Sequence, residues 1–236
     1  TSYNNFYEFG TDKGDPARYA DTVAGALAEG QVVGHFNGRM EFGPRSLGNR
    51  SILADPRGKD TLSRVNKSIK FREDWRPFAP MVLADQAPIY FEEPTDSPYM
   101  LFVAQLRPEF CGTTTASDAR GRGLHGPMQL QNAVVSDFAA VTHVDYSARI
   151  QSVNGHTNPR YHEMLTSFNN KYGCSVIVNT SFNVRGEPIV CTPQDAYRCF
   201  MRTEMDYLIM GNFLLDKNKH RKLSDNFDWQ TEFELD

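Results

Sequence analysis

Two hydrophobic periods alternate along the chain. Asp15 and Pro16 supply a helix cap and first turn, and Ala20, Val23, Ala24, Leu27 and Ala28 follow at helical spacing up to Gly30. Residues 31–36 are a short apolar run, read as a buried strand. Residues 57–70 read as a helix with Leu62, Val65 and Ile69 on one face and Lys67 and Lys70 beside them. Residues 78–83 return as a strand, with an irregular start at Pro77 and Pro80. A short helix is predicted over 84–91, a strand over 100–106 and strand-like alternation over 139–153. Asn158 and Pro159 open a helix carrying Tyr161, Leu165, Phe168 and Tyr172 as far as Gly173. A buried strand over 174–178 follows. Thr192 and Pro193 cap a further helix, with Asp195 in its first turn. Residues 206–215 close as a strand. Strands alternating with helices predict a mixed-sheet α/β domain.

The domain is expected over 15–216. Residues 1–14 read as a lead-in or linker, 217–236 as a charged tail, and 107–131, rich in Gly, Thr and Ser, as a long loop or insertion. The chain does not begin with Met and is read as a piece of a longer protein. No run of eighteen apolar residues exists, which argues against a membrane span. The first residues have no basic segment and no apolar core, unlike a signal peptide. The four cysteines form no CxxC pair and are expected as free thiols in the cytoplasm.

Charge changes this picture at one place. Residues 37–80 hold seven arginines and three lysines against five carboxylates, a local charge of +5 in a chain of net −4, so the remainder carries −9. Arg39, Arg45, Arg50 and Arg57 fall in turn-rich sequence, where glycines let a ligand approach the backbone. A concentrated cationic site in an acidic chain suits a small polyanion such as a nucleotide or acyl phosphate. Nucleic acid is not expected as a partner, because no basic stripe extends beyond this region. The competing reading is structural: the arginines pair with Glu41, Asp55, Glu73 and Asp74.

Three strand ends carry polar tips: residues 38–45, residues 147–151 with Arg149 and Gln151, and Asn179-Thr180-Ser181-Phe182-Asn183, followed by Arg185. Hydroxyl and amide groups suit phosphate and ribose oxygens, although Ser and Asn also stabilise their own turns. There is no GxSxG elbow, no GxxxxGK[ST] loop and no HExxH spacing, and His35 reads as a core histidine. The implied chemistry is positioning and charge neutralisation around phosphates.

Four blocks, GRMEFGPRSLGNRSILADPR, VNKSIKFREDWRPFAP, ARIQSV and NTSFNVRGEPIVCTPQDA, together resemble the C-terminal domain of the NodU/CmcH-type O-carbamoyltransferases. The resemblance covers nearly all of residues 17–215. It implies a YrdC-like α/β fold with a twisted mixed sheet flanked by helices. It also implies a biosynthetic transferase activity: ATP and carbamoyl phosphate give carbamoyl adenylate. A separate N-terminal domain, which also holds the family's metal, then passes the carbamoyl group to a hydroxyl. No metal site is expected in this chain beyond the Mg²⁺ that accompanies ATP. By the resemblance, Arg45, Lys70, Arg76 and Arg149 are the cations around carbamoyl phosphate and the ATP phosphates, with Lys70 and Arg76 as the catalytic pair. Lys70 with Arg72, and Ser181 with Asn183, match the lysine–arginine and serine–asparagine signatures of YrdC-like nucleotide sites. Arg39, Glu41 and Arg185 are neighbours, and Glu41 is also placed to pair with an arginine. Lys70 is expected to face ligand and to contribute little to packing. The expected partners are carbamoyl phosphate, ATP and the N-terminal domain, with a homodimer left open. Two alternatives stand beside this reading: a threonylcarbamoyl-adenylate synthase-like enzyme, and a non-catalytic nucleotide-binding interaction module.

Overall fold

The computed structural model describes residues 6–8, 15–92 and 95–220. In chain order the elements are β1 (Phe6–Glu8), α1 (Asp15–Ala28), β2 (Val33–Phe36), β3 (Arg50–Ala54), α2 (Thr61–Val65), β4 (Ala79–Leu83), α3 (Ala87–Tyr90), β5 (Phe91–Glu92) and β6 (Val103–Leu106). They continue with α4 (Ala116–Gly121), α5 (Pro127–Ala133), β7 (Ser147–Arg149), β8 (Gln151–Val153), α6 (Pro159–Tyr172), β9 (Val176–Ser181), α7 (Pro193–Arg202), β10 (Tyr207–Met210) and β11 (Phe213–Asp216). The main sheet runs β1-β11-β10-β2-β3-β9-β4-β8, and a small second sheet runs β5-β6-β7. The β10/β2 and β4/β8 pairs are parallel and the other pairs antiparallel, so the sheet is mixed, as expected.

Alternate residues of β2 show how the layers form. His35 points to α1 and α6, which pack against each other. Tyr19 Oη of α1 donates to His35 Nε2 at 2.5 Å, and the Tyr161 ring of α6 lies 4.8 Å away centroid to centroid. His35 Nδ1 donates to the Gly48 carbonyl at 2.8 Å. Burial pushes the His35 pKa down to about 3, so the ring is a neutral core histidine. Gly34 points the other way, where a Cβ would lie 2.9 Å from the Phe182 ring. One continuous apolar core runs from Tyr19 to Leu215.

Several boundaries differ from expectation for local reasons. Residues 50–54 are not turn but β3, fully buried between β2 and β9, so Arg50 stands on a central strand. The helix expected over 57–70 begins only at Thr61 and changes at Asn66 to a wider π-helix, Asn66–Lys70. The helix expected over 84–91 shrinks to α3, and Phe91 enters β5. Met100 lies at φ 56, so its strand starts later, at Val103. The expected loop 107–131 contains a short 3₁₀ turn, α4 and the start of α5; a capping box between Thr115 and Asp118 starts α4. Residues 206–215 form a hairpin, because Gly211 at φ 58 reverses the chain between β10 and β11. Part of the lead-in, β1, pairs with β11 at the sheet edge. The tail beyond residue 220 lies outside the described residues.

Candidate phosphate-binding site

The π-helix is what turns Lys70 inward. Its last residue is followed by Phe71 in the left-handed region at φ 50, which reverses the backbone. Lys70 is only 4% exposed. The three N–H groups of its ammonium are shared among four oxygens: Ser181 O at 2.8 Å, Ser181 Oγ at 3.1 Å, Asn183 O at 2.9 Å and Asn183 Oδ1 at 2.5 Å. Ser181 Oγ donates in turn to Asn183 Oδ1 at 2.7 Å. The two signatures, more than a hundred residues apart in sequence, therefore meet through this one ammonium. The lysine stem is buried, so Lys70 is part of the packing, contrary to the expectation of a side chain that contributes little to it. Burial, and then the Arg72 charge, push its pKa down to about 7.

Asn66 holds the next two arginines, and nothing in its spacing singles it out. It is completely buried. Its Oδ1 accepts from Arg72 Nε at 2.7 Å, and its Nδ2 donates to the Arg76 carbonyl at 2.9 Å. Arg72 lies over the Phe78 ring at 4.9 Å. Burial and the neighbouring Arg76 lower the Arg72 pKa to about 10.

Two hollows meet at these arginines. The smaller, about 330 Å³, is lined by Lys70, Arg72, Arg76, Asn183, Arg185 and Glu187, among others. The larger, about 500 Å³, adds Arg45, Ser46, Arg149 and Asn179, and shares Arg72, Arg76 and Ser181 with the first. Glu73 reaches both Arg76 and Arg185 at 3.6 Å. Arg45 and Arg149 have no carboxylate within ion-pair distance among the described residues, and Arg149 Nε is buried without an acceptor. Burial and the like charge of Arg45 lower the Arg149 pKa. Two guanidinium groups left without a counter-charge favour an anion between them.

Asn179, on β9, is one of the residues lining the larger hollow, and its neighbours dictate its orientation. Its Nδ2 donates to the Ser46 carbonyl at 2.9 Å and to Gln151 Oε1 at 2.6 Å. Gln151 Nε2 donates to the Leu47 carbonyl at 2.9 Å, which fixes which end of that amide is oxygen. Asn179 Oδ1 is left buried with no donor.

The rest of the cationic stretch does other work. Arg57 pairs with Asp55 at 2.7 Å, Arg64 with Asp206 at 2.8 Å and Lys67 with Asp74 at 2.7 Å. Arg50 stacks on Phe36 at 3.5 Å and donates to the carbonyls of Asn37, Gly38 and Asn49. Arg39 and Glu41 line neither hollow. Glu41 Oε1 accepts from the backbone N–H groups of Leu47 and Asn49 at 2.8 and 2.6 Å, bracing its own loop. All four cysteines are free thiols. No cluster of three or more His, Cys, Asp or Glu side chains able to hold a metal occurs among the described residues. No described helix is long and apolar enough to cross a membrane.

Known proteins resemble this chain in sequence and in fold. The chain is 39% identical over 190 residues to the 3'-hydroxymethylcephem-O-carbamoyltransferase of Amycolatopsis lactamdurans, covering 78% of this chain and 31% of that protein. It spans about a third of the length of the curated relatives it matches. Among solved structures, Sua5 from P. abyssi complexed with L-threonine superposes with a TM-score of 0.52 at 11% identity, over 83% of this chain and 47% of Sua5. Full-length HypF in its phosphate- and nucleotide-bound form superposes with a TM-score of 0.50 at 15% identity, over 90% of this chain and 23% of HypF. At these identities the likeness is one of fold, and the fold is the YrdC-like one. The family described as Carbamoyltransferase C-terminus matches residues 24–217, and the chain belongs to that family.

Proposed function

We propose that this domain binds ATP and carbamoyl phosphate and forms carbamoyl adenylate, which a further domain of the full-length protein passes to a substrate hydroxyl. One observation supports this above the rest: the Lys70 ammonium, held by Ser181 and Asn183, stands beside Arg72, Arg76 and Arg185 in a hollow continuous with Arg45 and Arg149. That is cationic lining for a triphosphate next to cationic lining for an acyl phosphate.

Atoms balance when one water is consumed. Water cleaves carbamoyl phosphate to carbamate and orthophosphate. A carbamate oxygen then attacks the α-phosphorus of ATP, and the bond to the β-phosphate breaks to release pyrophosphate. In this scheme Lys70 and Arg76 hold the departing pyrophosphate, whose negative charge grows in the transition state. Arg45 and Arg149 hold the carbamoyl phosphate. A Mg²⁺ would arrive with the nucleotide and rest mainly on its phosphates.

The test is exchange of labelled pyrophosphate into ATP. Label should enter ATP when carbamoyl phosphate is added and not with ATP and pyrophosphate alone, and orthophosphate should appear in step with carbamoyl adenylate. A protein that binds ATP yet shows no exchange under these conditions would overturn the assignment.

A further inference from the structure

Resting on that reading, we infer that Asn179 selects the carbamoyl group: its Oδ1 accepts a hydrogen bond from the carbamoyl NH₂, and the cleft is thereby built to discriminate against acyl groups that lack an N–H.

Three features of the larger hollow carry this. First, Asn179 is 1% exposed and its Oδ1 has no donor in the protein. A buried acceptor left unpaired is costly, and the cost is removed when a ligand supplies the donor. Second, the amide cannot exchange its ends to escape this. Its NH₂ faces two acceptors, the Ser46 carbonyl and Gln151 Oε1. Rotation would set oxygen against oxygen at both. Gln151 cannot turn to compensate either, because its own NH₂ is committed to the Leu47 carbonyl. Third, the same hollow offers the opposite polarity nearby: Arg149 Nε is a buried donor without an acceptor, and Arg45 stands close enough to lower the Arg149 pKa. A carbamoyl group carries an NH₂ donor and a C=O acceptor on one carbon, which matches one fixed acceptor and one fixed donor. An acetyl group presents a methyl to Asn179 and leaves that oxygen unpaired.

The experiment compares carbamoyl phosphate with acetyl phosphate as the activator of ATP–pyrophosphate exchange. In the unmodified protein, kcat/KM for carbamoyl phosphate should exceed that for acetyl phosphate by roughly tenfold to a hundredfold, the effect of leaving one buried acceptor unpaired. In Asn179→Ala the ratio should fall to within about threefold of unity, through loss of the carbamoyl rate rather than gain of the acetyl rate. Asn179→Thr, whose branched side chain suits a strand and whose hydroxyl can still donate to the Ser46 carbonyl, is the second variant, used if the first does not melt cooperatively. Equal use of the two activators by the unmodified protein would sink the inference while leaving the proposed activity intact. So would an unchanged ratio in either folded variant. No exchange with either activator would instead remove the proposed activity, and the selection with it.

Discussion

Lys70 shows what one residue's surroundings do to its chemistry. Burial disfavours its charged form, whereas four oxygens within 3.1 Å favour it. An alanine here would open a cavity beside β9, so methionine is the better probe because it keeps the stem. Lys70→Met should lower pyrophosphate exchange by roughly a hundredfold, the scale of losing one fixed charge at a transition state. Its melting curve should stay cooperative. A variant that exchanges at the normal rate would make Lys70 purely structural. The pKa near 7 adds a pH signature. In the unfolded chain an ordinary lysine titrates near 10.4. Below pH 7 both states are charged and the cost of burying the ammonium is fully present. Between about 7 and 10.4 the unfolded state binds more protons, so that cost is relieved and the free fold gains stability as pH rises. Ligand reverses the preference, because a polyphosphate favours the ammonium. Above pH 7 binding should therefore take up a proton, and ATP affinity should weaken by up to about tenfold per pH unit. Titration calorimetry in buffers of different ionisation enthalpy measures this directly, and Lys70→Met should abolish the uptake.

At the level of elements, legibility followed the length and isolation of each periodic run. The helices that became α1, α6 and α7 were readable because caps and a 3.6-residue period agreed. The central strand β3 was not, because its five residues sit between charged turns and begin with an arginine. Charge density alone could not separate Arg45 from Arg57: one lines the cleft and the other is tied to Asp55, and only the tertiary partner distinguishes them. Asn66 and Asn179 were illegible as roles for the same reason, since what singles them out is burial against particular carbonyls. The loop from Ser46 to Asn49 is a point where element and site meet. Gly48 sits at φ 129, and a Cβ there would lie 2.8 Å from the buried Tyr161 ring. Gly48→Ala should cost about 2–4 kcal/mol from backbone strain and overpacking. Differential scanning calorimetry should register a fall of roughly 5–15 °C for a domain of this size. Because the same loop offers its Ser46 and Leu47 carbonyls to Asn179 and Gln151, exchange should fall as well. An unchanged melting temperature would mean that the loop can move away from α6.

For the molecule as a whole, the family blocks made fold class and kinship readable, while the proposed division of labour among domains rests on proportion. The chain accounts for about a third of its relatives' length. Supplied with ATP and carbamoyl phosphate alone, it should release AMP and pyrophosphate and give no carbamoylated alcohol, because an acyl adenylate in an open cleft meets water first. Product analysis against a panel of hydroxyl acceptors checks this. Efficient transfer to any of them would place acceptor binding within these 236 residues.

The wall that the two hollows share has a thermodynamic corollary. Arg72 and Arg76 belong to both, so under the proposed function whichever anion arrives first would set the position and screening of the cations that the second meets. The two binding equilibria are then linked, and linkage is symmetric: whatever factor bound nucleotide applies to the acyl phosphate's dissociation constant, the acyl phosphate must apply to the nucleotide's. Using a non-hydrolysable ATP analogue with the α–β bond blocked, a four-sided set of titrations should close around that single factor. Arg76→Met should drive it towards one, leaving two neighbouring sites that no longer sense each other.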